Sequence, residues 1–281
     1  MVAHPALGEV GAHPGGLLRP GHPHRPRTSR RHRACAATGS RNSPVRCASQ
    51  RHSVGRGRTV RQSRAAGPVR VEDVGVADLR ESVADALGAF DRRPVDRPEL
   101  KVAAVAITLV TTGTDDADLA DGLAFLLTRR ATTLRKHAGQ WALPGGRLDP
   151  GETAAQAARR ELAEELGLEL GADAVLGLLD DYPTRSGYVI TPVVLWAGPV
   201  GELAPNPDEV GEVYRIPLRQ IDVEPRFLTI PESDAPVIQV PLFDRFVHAP
   251  TGAVLYQFRE VVVQGRPTRV AHLEQPVFAW R

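Results

Sequence analysis

Hydrophobic residues along the chain follow two different periods, which predict where helices and strands lie. Val76, Leu79, Val83 and Leu87 recur at spacings of three and four, as on one side of an amphipathic helix. Elsewhere, runs rich in β-branched apolar residues are bounded by Gly, Pro and Asp clusters typical of turns, and such runs predict strands. These runs cover residues 102–111, 123–128, 188–197, 237–243 and 254–263. The pattern indicates a sheet-rich domain with few helices.

A second helix is predicted from Thr153 to Leu166. Thr153 and Gln156 have the spacing of a capping box, and Gly167 stands where a left-handed C-cap is favourable. The apolar stripe of this helix consists of Ala158, Leu162 and Leu166. We therefore expect one clearly defined helix among the strands.

The first 70 residues differ in composition from the rest of the chain. They contain 14 arginines, no lysine and one acid, with many Pro, Gly, Ser and His residues and no regular period. Such a segment cannot bury a core, which predicts disorder. A nucleic-acid-binding arm, a transit peptide, an export signal and an alternative start near residue 70 remain open. We divide the chain into this leader (1–70), a helix and linker (71–96) and a catalytic domain (97–281).

Charge is unevenly distributed between the leader and the rest. The chain has 35 basic and 33 acidic residues, but residues 71–281 have 21 basic and 32 acidic ones, a net charge of −11. A domain this acidic repels nucleic acid and other polyanions unless a cation or a basic patch intervenes. Phosphate chemistry in it is therefore expected to need a metal ion, and its partner is expected to be a small molecule rather than nucleic acid.

Two further features bear on the compartment. Both cysteines, Cys35 and Cys47, lie in the leader, so disulfides cannot hold the domain together, and a reducing, cytoplasmic setting is expected. The apolar runs fall short of the roughly 20 residues that a membrane-spanning helix needs. We expect no membrane span.

The second predicted helix carries three glutamates on one face. At about 100° per residue, Glu161, Glu164 and Glu165 project from the same side. A solvated acidic face, neutralised in part by Arg160, is one explanation for such a group. The glycine-rich loop before the helix favours another, because it can direct a backbone carbonyl and the Glu152 carboxylate at the same point. Oxygen ligands of this kind suit Mg²⁺ or Mn²⁺ better than zinc.

These residues resemble the signature of the Nudix hydrolase superfamily, GX5EX7REUXEEXGU, in which U is aliphatic. Every fixed position is matched, by Gly146, Glu152, Arg160, Glu161, Leu162, Glu164, Glu165, Gly167 and Leu168. The resemblance implies an α/β (α+β) fold, an α/β/α sandwich with a mixed β-sheet and the signature as a loop-helix-loop beside it. It covers residues 97–230.

The same resemblance implies roles for the matched residues. Glu152 and Arg160 would pair and brace the loop against the helix. Glu164 is the first choice for the general base, and the loop acids Glu209 and Glu212 are the second. The catalytic centre would be formed by Glu161, Glu164, Glu165 and the carbonyl of Gly146, which would bind Mg²⁺, with Mn²⁺ as a substitute.

The segment before the signature resembles the pattern LLTxR(S/A)xxxRxxxGxxxFPGG of the coenzyme A diphosphatase branch. Leu143 replaces its Phe, and the matching residues are Leu126, Leu127, Thr128, Arg130, Ala131, Arg135, Gly139, Pro144, Gly145 and Gly146. Residues 176–194 also resemble this branch, whereas the C-terminus departs from it. The resemblance implies that Arg130, Arg135 and Gly139 bind substrate, with the two arginines facing an anionic 3′,5′-ADP group. Ordinary surface arginines are the alternative.

The function implied is metal-dependent cleavage of the diphosphate in coenzyme A or acyl-coenzyme A, which gives 3′,5′-ADP and 4′-phosphopantetheine or its acyl form. Pro183 lies 15 residues beyond the signature, a spacing associated with ADP-ribose hydrolases, so ADP-ribose or another nucleoside diphosphate is an alternative substrate. A non-catalytic Nudix binding or regulatory module is a third possibility, although such modules usually lose signature glutamates.

Overall fold

The structure is a computed structural model that describes residues 76–111, 122–134 and 137–280. The leader, with both cysteines, and Arg135 lie outside the described residues, so the expectations for them stay predictions. Within the described part of the chain, no helix is long and apolar enough to cross a bilayer.

The described residues contain both predicted helices and four of the five predicted strands. The α-helices are α1 (Val76–Ala89), α2 (Ala154–Leu166) and α3 (Thr251–Phe258). The strands are β1 (Lys101–Thr111), β2 (Leu123–Arg130), β3 (Trp141–Ala142), β4 (Gly145–Arg147), β5 (Val175–Leu178), β6 (Tyr182–Pro183), β7 (Tyr188–Pro199), β8 (Val210–Pro217), β9 (Arg226–Ile230), β10 (Ser233–Leu242) and β11 (Arg245–His248). Shorter helical turns are Ala172–Ala174, Leu218–Gln220, the π-helical Arg259–Val263 and Val277–Ala279.

A mixed sheet forms the centre of the domain. Its strands follow the order β3-β2-β1-β7-β5, while β4 pairs with β1, β6 with β7 and β8 with β2. β1 and β7 are parallel, and the other pairs in this sheet are antiparallel. A separate antiparallel sheet has the order β11-β10-β9. The predicted mixed sheet is confirmed.

Helices cover both faces of the mixed sheet. Ala104, Ala106 and Val110 of β1 belong to a buried cluster that includes the apolar stripe of α2. Ile107 and Leu109, which point to the opposite face because side chains alternate along a strand, belong to the cluster that includes α1 and α3. This arrangement confirms the predicted α/β/α sandwich.

Residues 254–263 form a helix, so the prediction of a strand there was wrong. They make up the end of α3 and the π-helical turn that follows it. The β-branched content of the run favoured a strand. Its buried apolar residues nevertheless recur at helical spacings, and they are Val254, Leu255, Phe258, Val261 and Val262. Packing of this one helical face into the core outweighs the local strand preference.

α2 begins and ends where the sequence predicts. The Thr153 hydroxyl accepts a hydrogen bond from the Gln156 N–H at 3.3 Å, and the Gln156 side chain accepts one from the Thr153 N–H at 2.8 Å. Gly167 has a φ of 66° and donates its N–H to the carbonyl of Ala163. The capping box and the left-handed C-cap are confirmed, and they fix both ends of the helix that carries the glutamates.

Candidate active site

Two glycines bring β4 close to both β1 and α2. Gly146 pairs with Ala104, and Gly145 pairs with Val105. A Cβ added to Gly145 would lie 2.3 Å from the carbonyl oxygen of Ala104, so only glycine fits there. A Cβ added to Gly146 would lie 2.1 Å from a carboxylate oxygen of Glu161. The absent side chain of Gly146 therefore leaves the space that the Glu161 carboxylate occupies.

Arg160 binds three of the predicted site residues at once. Its Nε and Nη2 donate to the two carboxylate oxygens of Glu152, each at 3.1 Å. Its Nη1 donates to Glu161 at 2.9 Å and to Glu164 at 3.0 Å. Nη2 also donates to the Arg147 carbonyl at 2.9 Å. Arg160 thus joins the loop before α2 to two glutamates of the helix.

Glu152 is held firmly in this network. Its side chain is 13% exposed, and it also accepts a hydrogen bond from the Asp149 N–H at 2.9 Å. The hydrogen bonds from Arg160 lower the pKa of the Glu152 carboxyl and raise that of the guanidinium. Both groups remain charged, and the bidentate ion pair between Arg160 and Glu152 connects the loop between β4 and α2 to the helix.

Glu165 points inward and is only 4% exposed. Its carboxylate accepts a hydrogen bond from the Gly145 N–H at 3.3 Å. Burial raises the pKa of Glu165 to about 7, and the charges of Glu161 and Glu209 act in the same direction. The Gly145 hydrogen bond and the charge of Arg130 oppose the rise in this pKa. Glu165 therefore lies among other acids in a site that favours its neutral form unless a cation is present.

Glu161 is in a similar position. Burial raises the pKa of its carboxyl, Arg160 lowers it, and the charges of Glu164 and Glu209 raise it further. Within the described residues, no three acidic, histidine or cysteine side chains are grouped closely enough to hold a metal ion as they stand. The guanidinium of Arg160 takes up Glu161 and Glu164, so the three glutamates that share a face of α2 do not converge on one point.

The donor groups nevertheless fit a hard divalent cation. Glu161 and Glu165 offer carboxylate oxygens that are screened from solvent and lie near other negative charges. Burial is the main cause of both raised pKa values, repulsion between the acids adds to it, and a cation beside these carboxylates would offset both effects. Glu164 is 55% exposed and is free to turn towards such an ion. Oxygen donors of this kind match Mg²⁺ or Mn²⁺.

The two loop acids proposed as alternative bases differ in their surroundings. The loop that carries Glu209 is bound to the end of α2, because the Asn206 N–H donates to the Glu165 carbonyl at 2.9 Å. The charge of Glu209 raises the pKa of Glu161 and Glu165, which places it near them. Glu212 instead accepts a hydrogen bond from the Tyr214 hydroxyl. Of the two, Glu209 is the one beside the glutamates of α2.

A cavity of about 480 Å³ lies next to these glutamates. Gly145 lines the cavity and also hydrogen-bonds Glu165, so the two features adjoin. Arg130 and Gly139, both predicted to bind substrate, line it as well. In the described part of the chain, the buried Nε of Arg130 has no hydrogen-bond partner, and it remains available as a donor. Arg135, the third predicted substrate residue, lies outside the described residues.

Several lining residues were missed by the sequence analysis. Arg129 packs over the Trp141 ring, with its guanidinium carbon 5.5 Å from the ring centroid, and donates twice to the Gly139 carbonyl. In the sequence, only the position of Arg129 and Trp141 just before the signature could have suggested that they belong to the site. A second part of the lining comes from the C-terminal segment, at residues 245–251, 254, 275, 278 and 279. No motif in that segment pointed to a site.

Comparison with known families gives a match to the central part of this chain. Residues 101–239 match the family described as NUDIX domain. The matched span begins with β1, includes the whole signature and ends within β10. It closely follows the predicted range of 97–230.

Two curated relatives are each described as "Uncharacterized Nudix hydrolase NudL". The protein of Photorhabdus laumondii is 43% identical over 96 residues, which are 34% of this chain and 51% of the relative. The protein of Escherichia coli K12 is also 43% identical over 96 residues, or 34% of this chain and 50% of the relative. The chain therefore spans about half the length of the curated relatives it matches.

Solved structures that resemble part of this chain include two Nudix hydrolases. A Nudix hydrolase from Nitrosomonas europaea is 20% identical, with a TM-score of 0.40 over 64% of this chain and 80% of the other. The Nudix hydrolase RenU of M. smegmatis is 25% identical, with a TM-score of 0.37 over 57% and 84% of the two chains. The assignment depends on the family match and the complete signature. Residues 101–239 of this chain are a NUDIX domain.

Proposed function

We propose that the protein is a metal-dependent hydrolase that cleaves the diphosphate of coenzyme A or acyl-coenzyme A. The products would be 3′,5′-ADP and 4′-phosphopantetheine, or its acyl derivative. The observation that carries the proposal is the cavity of about 480 Å³, which adjoins the signature glutamates and is lined by Arg129 and Arg130. An acidic domain needs such local cations to hold an anionic nucleotide.

Arg130 supports the substrate assignment most directly. It ends β2, lies close enough to Glu165 to lower the pKa of that carboxyl, and has a buried Nε without a partner in the described residues. An unpaired buried donor is unfavourable, so a phosphate oxygen that pairs with it gains that free energy. Arg130 would hold the diphosphate or the 3′-phosphate against the glutamates.

The signature residues would supply the cation site. Glu161, Glu164, Glu165 and the Gly146 carbonyl would hold Mg²⁺, with Mn²⁺ as a possible substitute. When bound, such an ion supplies positive charge that stabilises the diphosphate as the bond breaks. Arg160 would keep its two hydrogen bonds to Glu152, so that the loop stays fixed while Glu164 is released from the guanidinium.

Glu164 is the proposed general base. Its carboxylate is 55% exposed, so water can reach it, unlike that of Glu165. The water oxygen would attack a phosphorus of the diphosphate, its proton would pass to Glu164, and the phosphoanhydride bond would break. Glu209 is the second candidate, because its loop is bound to the end of α2.

The test is hydrolysis of coenzyme A and ADP-ribose, measured side by side with Mg²⁺ and with products identified by mass. We expect wild type to release 3′,5′-ADP and Glu164→Gln to lose at least about 100-fold in kcat. Glu169→Gln is the matched control, because Glu169 is also an exposed glutamate and lies just beyond the signature. Its rate should equal that of wild type.

Other results would support the alternatives. Turnover of ADP-ribose alone would make ADP-ribose or a related nucleoside diphosphate the substrate. Failure on both compounds, with Mg²⁺ and with Mn²⁺, would favour a non-catalytic Nudix binding or regulatory module. Unchanged activity of Glu164→Gln would move the general base to Glu209.

A further inference from the structure

The cavity beside the active site has two walls of different origin. One wall comes from the NUDIX domain and includes Arg129, Arg130 and Gly139. The other comes from β11, α3 and the turn Val277–Ala279, all of which lie beyond residue 239, where the family match ends. The C-terminal segment therefore shapes the cavity without being part of the matched family sequence.

The two walls also differ in chemistry. The wall nearest the glutamates carries the guanidinium groups of Arg129 and Arg130. Most of the C-terminal wall is apolar, including Phe246, Val254 and Phe278, and its polar members are Arg245, His248, Thr251 and Gln275. Phe278 keeps 54% of its surface exposed, although it contacts the ring of His248 edge-on at 5.2 Å. An exposed phenyl ring at the side of a cavity gains free energy when an apolar ligand covers it.

The C-terminal wall is held firmly against the NUDIX domain. The Tyr182 hydroxyl donates to the Leu273 carbonyl at 2.8 Å, and both groups are buried. The Arg185 N–H donates to the Gln275 side chain at 2.8 Å, and the Arg185 guanidinium pairs with Glu274 at 2.7 Å. These bonds fix the segment that ends in Phe278. The wall is thus part of a preformed cavity rather than a loose tail.

A ligand with a phosphate-bearing end and an uncharged apolar end complements the arginines of one wall and the apolar side chains of the other. The phosphates of the proposed substrate belong at the arginines, because the glutamates and Gly145 adjoin that end. The remaining half of an acyl-coenzyme A has no charge and ends in an aliphatic chain. We propose that the C-terminal wall around Phe278 and Val254 binds the acyl chain of an acyl-coenzyme A and sets the preferred chain length. This inference rests on the proposed function.

The experiment compares kcat/KM for coenzyme A, acetyl-coenzyme A and octanoyl-coenzyme A in wild type and Phe278→Ala. We expect kcat/KM to rise with chain length in wild type, by up to about fourfold for each methylene that becomes buried. Phe278→Ala should lower the value for octanoyl-coenzyme A about tenfold and leave that for coenzyme A within about twofold. Phe278→Leu, which keeps an apolar side chain, should restore most of the loss.

Phe243→Ala is the matched control. Phe243 is 57% exposed, as Phe278 is at 54%, but it does not line the cavity. This variant should keep the wild-type dependence on chain length. Equal kcat/KM for coenzyme A and octanoyl-coenzyme A in wild type would overturn the inference while the proposed function stands. The same dependence in Phe278→Ala as in wild type would also overturn it.

Calorimetric titration without metal separates this inference from the proposed function. Octanoyl-coenzyme A should bind wild type more tightly than coenzyme A does, and Phe278→Ala should remove the difference. If this pattern appears but neither compound is hydrolysed with Mg²⁺, the wall is correctly assigned and the proposed hydrolysis is wrong. If neither compound is hydrolysed and neither binds, both are wrong.

Discussion

At the scale of single residues, the site depends on close packing between backbone and carboxylates. Gly145 and Gly146 are neighbours in β4, yet an added methyl group meets different obstacles at each. At Gly145 it meets the backbone of Ala104 and Val105, which cannot move cheaply. At Gly146 the nearest atoms all belong to the carboxylate of Glu161, the far end of a flexible side chain. Gly145 is therefore needed for the packing of β4 against β1, and Gly146 for the position of the Glu161 carboxylate.

This contrast predicts different outcomes for two similar variants. Gly145→Ala should lower the free energy of unfolding by about 1 to 3 kcal/mol, as overpacking does. Gly146→Ala should lower it by less than about 1 kcal/mol but reduce hydrolysis about 100-fold, because the Glu161 carboxylate is displaced. Urea unfolding and steady-state rates check both values. Full activity in Gly146→Ala would show that the position of Glu161 is unimportant for catalysis.

His248 is expected to make the stability of the folded protein depend on pH. Burial lowers the pKa of its imidazole below the usual 6.5. At pH values between the lowered pKa of the folded protein and 6.5, the imidazole is therefore mostly protonated in the unfolded chain and mostly neutral in the folded protein. The contribution of His248 to stability is present above pH 6.5 and decreases as the pH falls from there towards the folded pKa.

Urea unfolding at pH 7.5 and pH 5.5 measures this effect. His248→Gln should lose less stability between the two values than wild type does. His272→Gln is the control, because it removes an exposed imidazole. If wild type and His248→Gln change equally, His248 does not contribute to acid sensitivity.

At the scale of elements, α2 works as a unit with the loop before it. The caps at Thr153 and Gly167 define the helix, and Arg160 ties it to Glu152 and to the Arg147 carbonyl. The glutamates of the helix are thereby held in a fixed relation to β4. An isolated helix with these acids on one face would be weakened by their repulsion.

Removing Arg160 tests this connection. Arg160→Ala leaves the Glu152 carboxylate, 13% exposed, without its partner. Such a loss is worth about 3 to 5 kcal/mol for a fully buried pair, so about 2 kcal/mol is expected at this partly exposed site. A double-mutant cycle with Glu152→Gln, followed by urea unfolding, should give a coupling of at least about 1 kcal/mol. A coupling near zero would mean that the pair does not brace the loop.

At the scale of the whole described part, the NUDIX domain and the C-terminal segment share one core. The cluster that contains Ile107 of β1 also contains Ile238, Val254 and Phe258. Ile107 and Ile238 lie within the family match, whereas Val254 and Phe258 lie beyond its end at residue 239. The C-terminal segment therefore stabilises the domain as well as lining its cavity.

Phe258 provides the test of a shared core. Its side chain is 0% exposed, so Phe258→Ala should cost about 3 to 5 kcal/mol and lower Tm in a single cooperative transition. Phe243→Ala, at a position 57% exposed, should stay within about 0.5 kcal/mol of wild type. Two separate transitions in calorimetry would show that the C-terminal segment folds independently of the NUDIX domain.

The sequence alone predicted the elements whose signals are local. The caps of α2 and the spacing of the three glutamates depend on residues close together in the chain. Short-range backbone and side-chain geometry determines these features, so they can be predicted from the sequence without a structure.

Only the tertiary structure decided the cavity and its far wall. Phe278 lies more than a hundred residues from the signature, yet it lines the same cavity. Trp141 and Arg129 are recognised as site residues only because they line that cavity too. The helix at residues 254–263 was misread because burial against the core, not local preference, determines its form. Contacts between distant segments follow from packing of the whole chain, which no local spacing encodes.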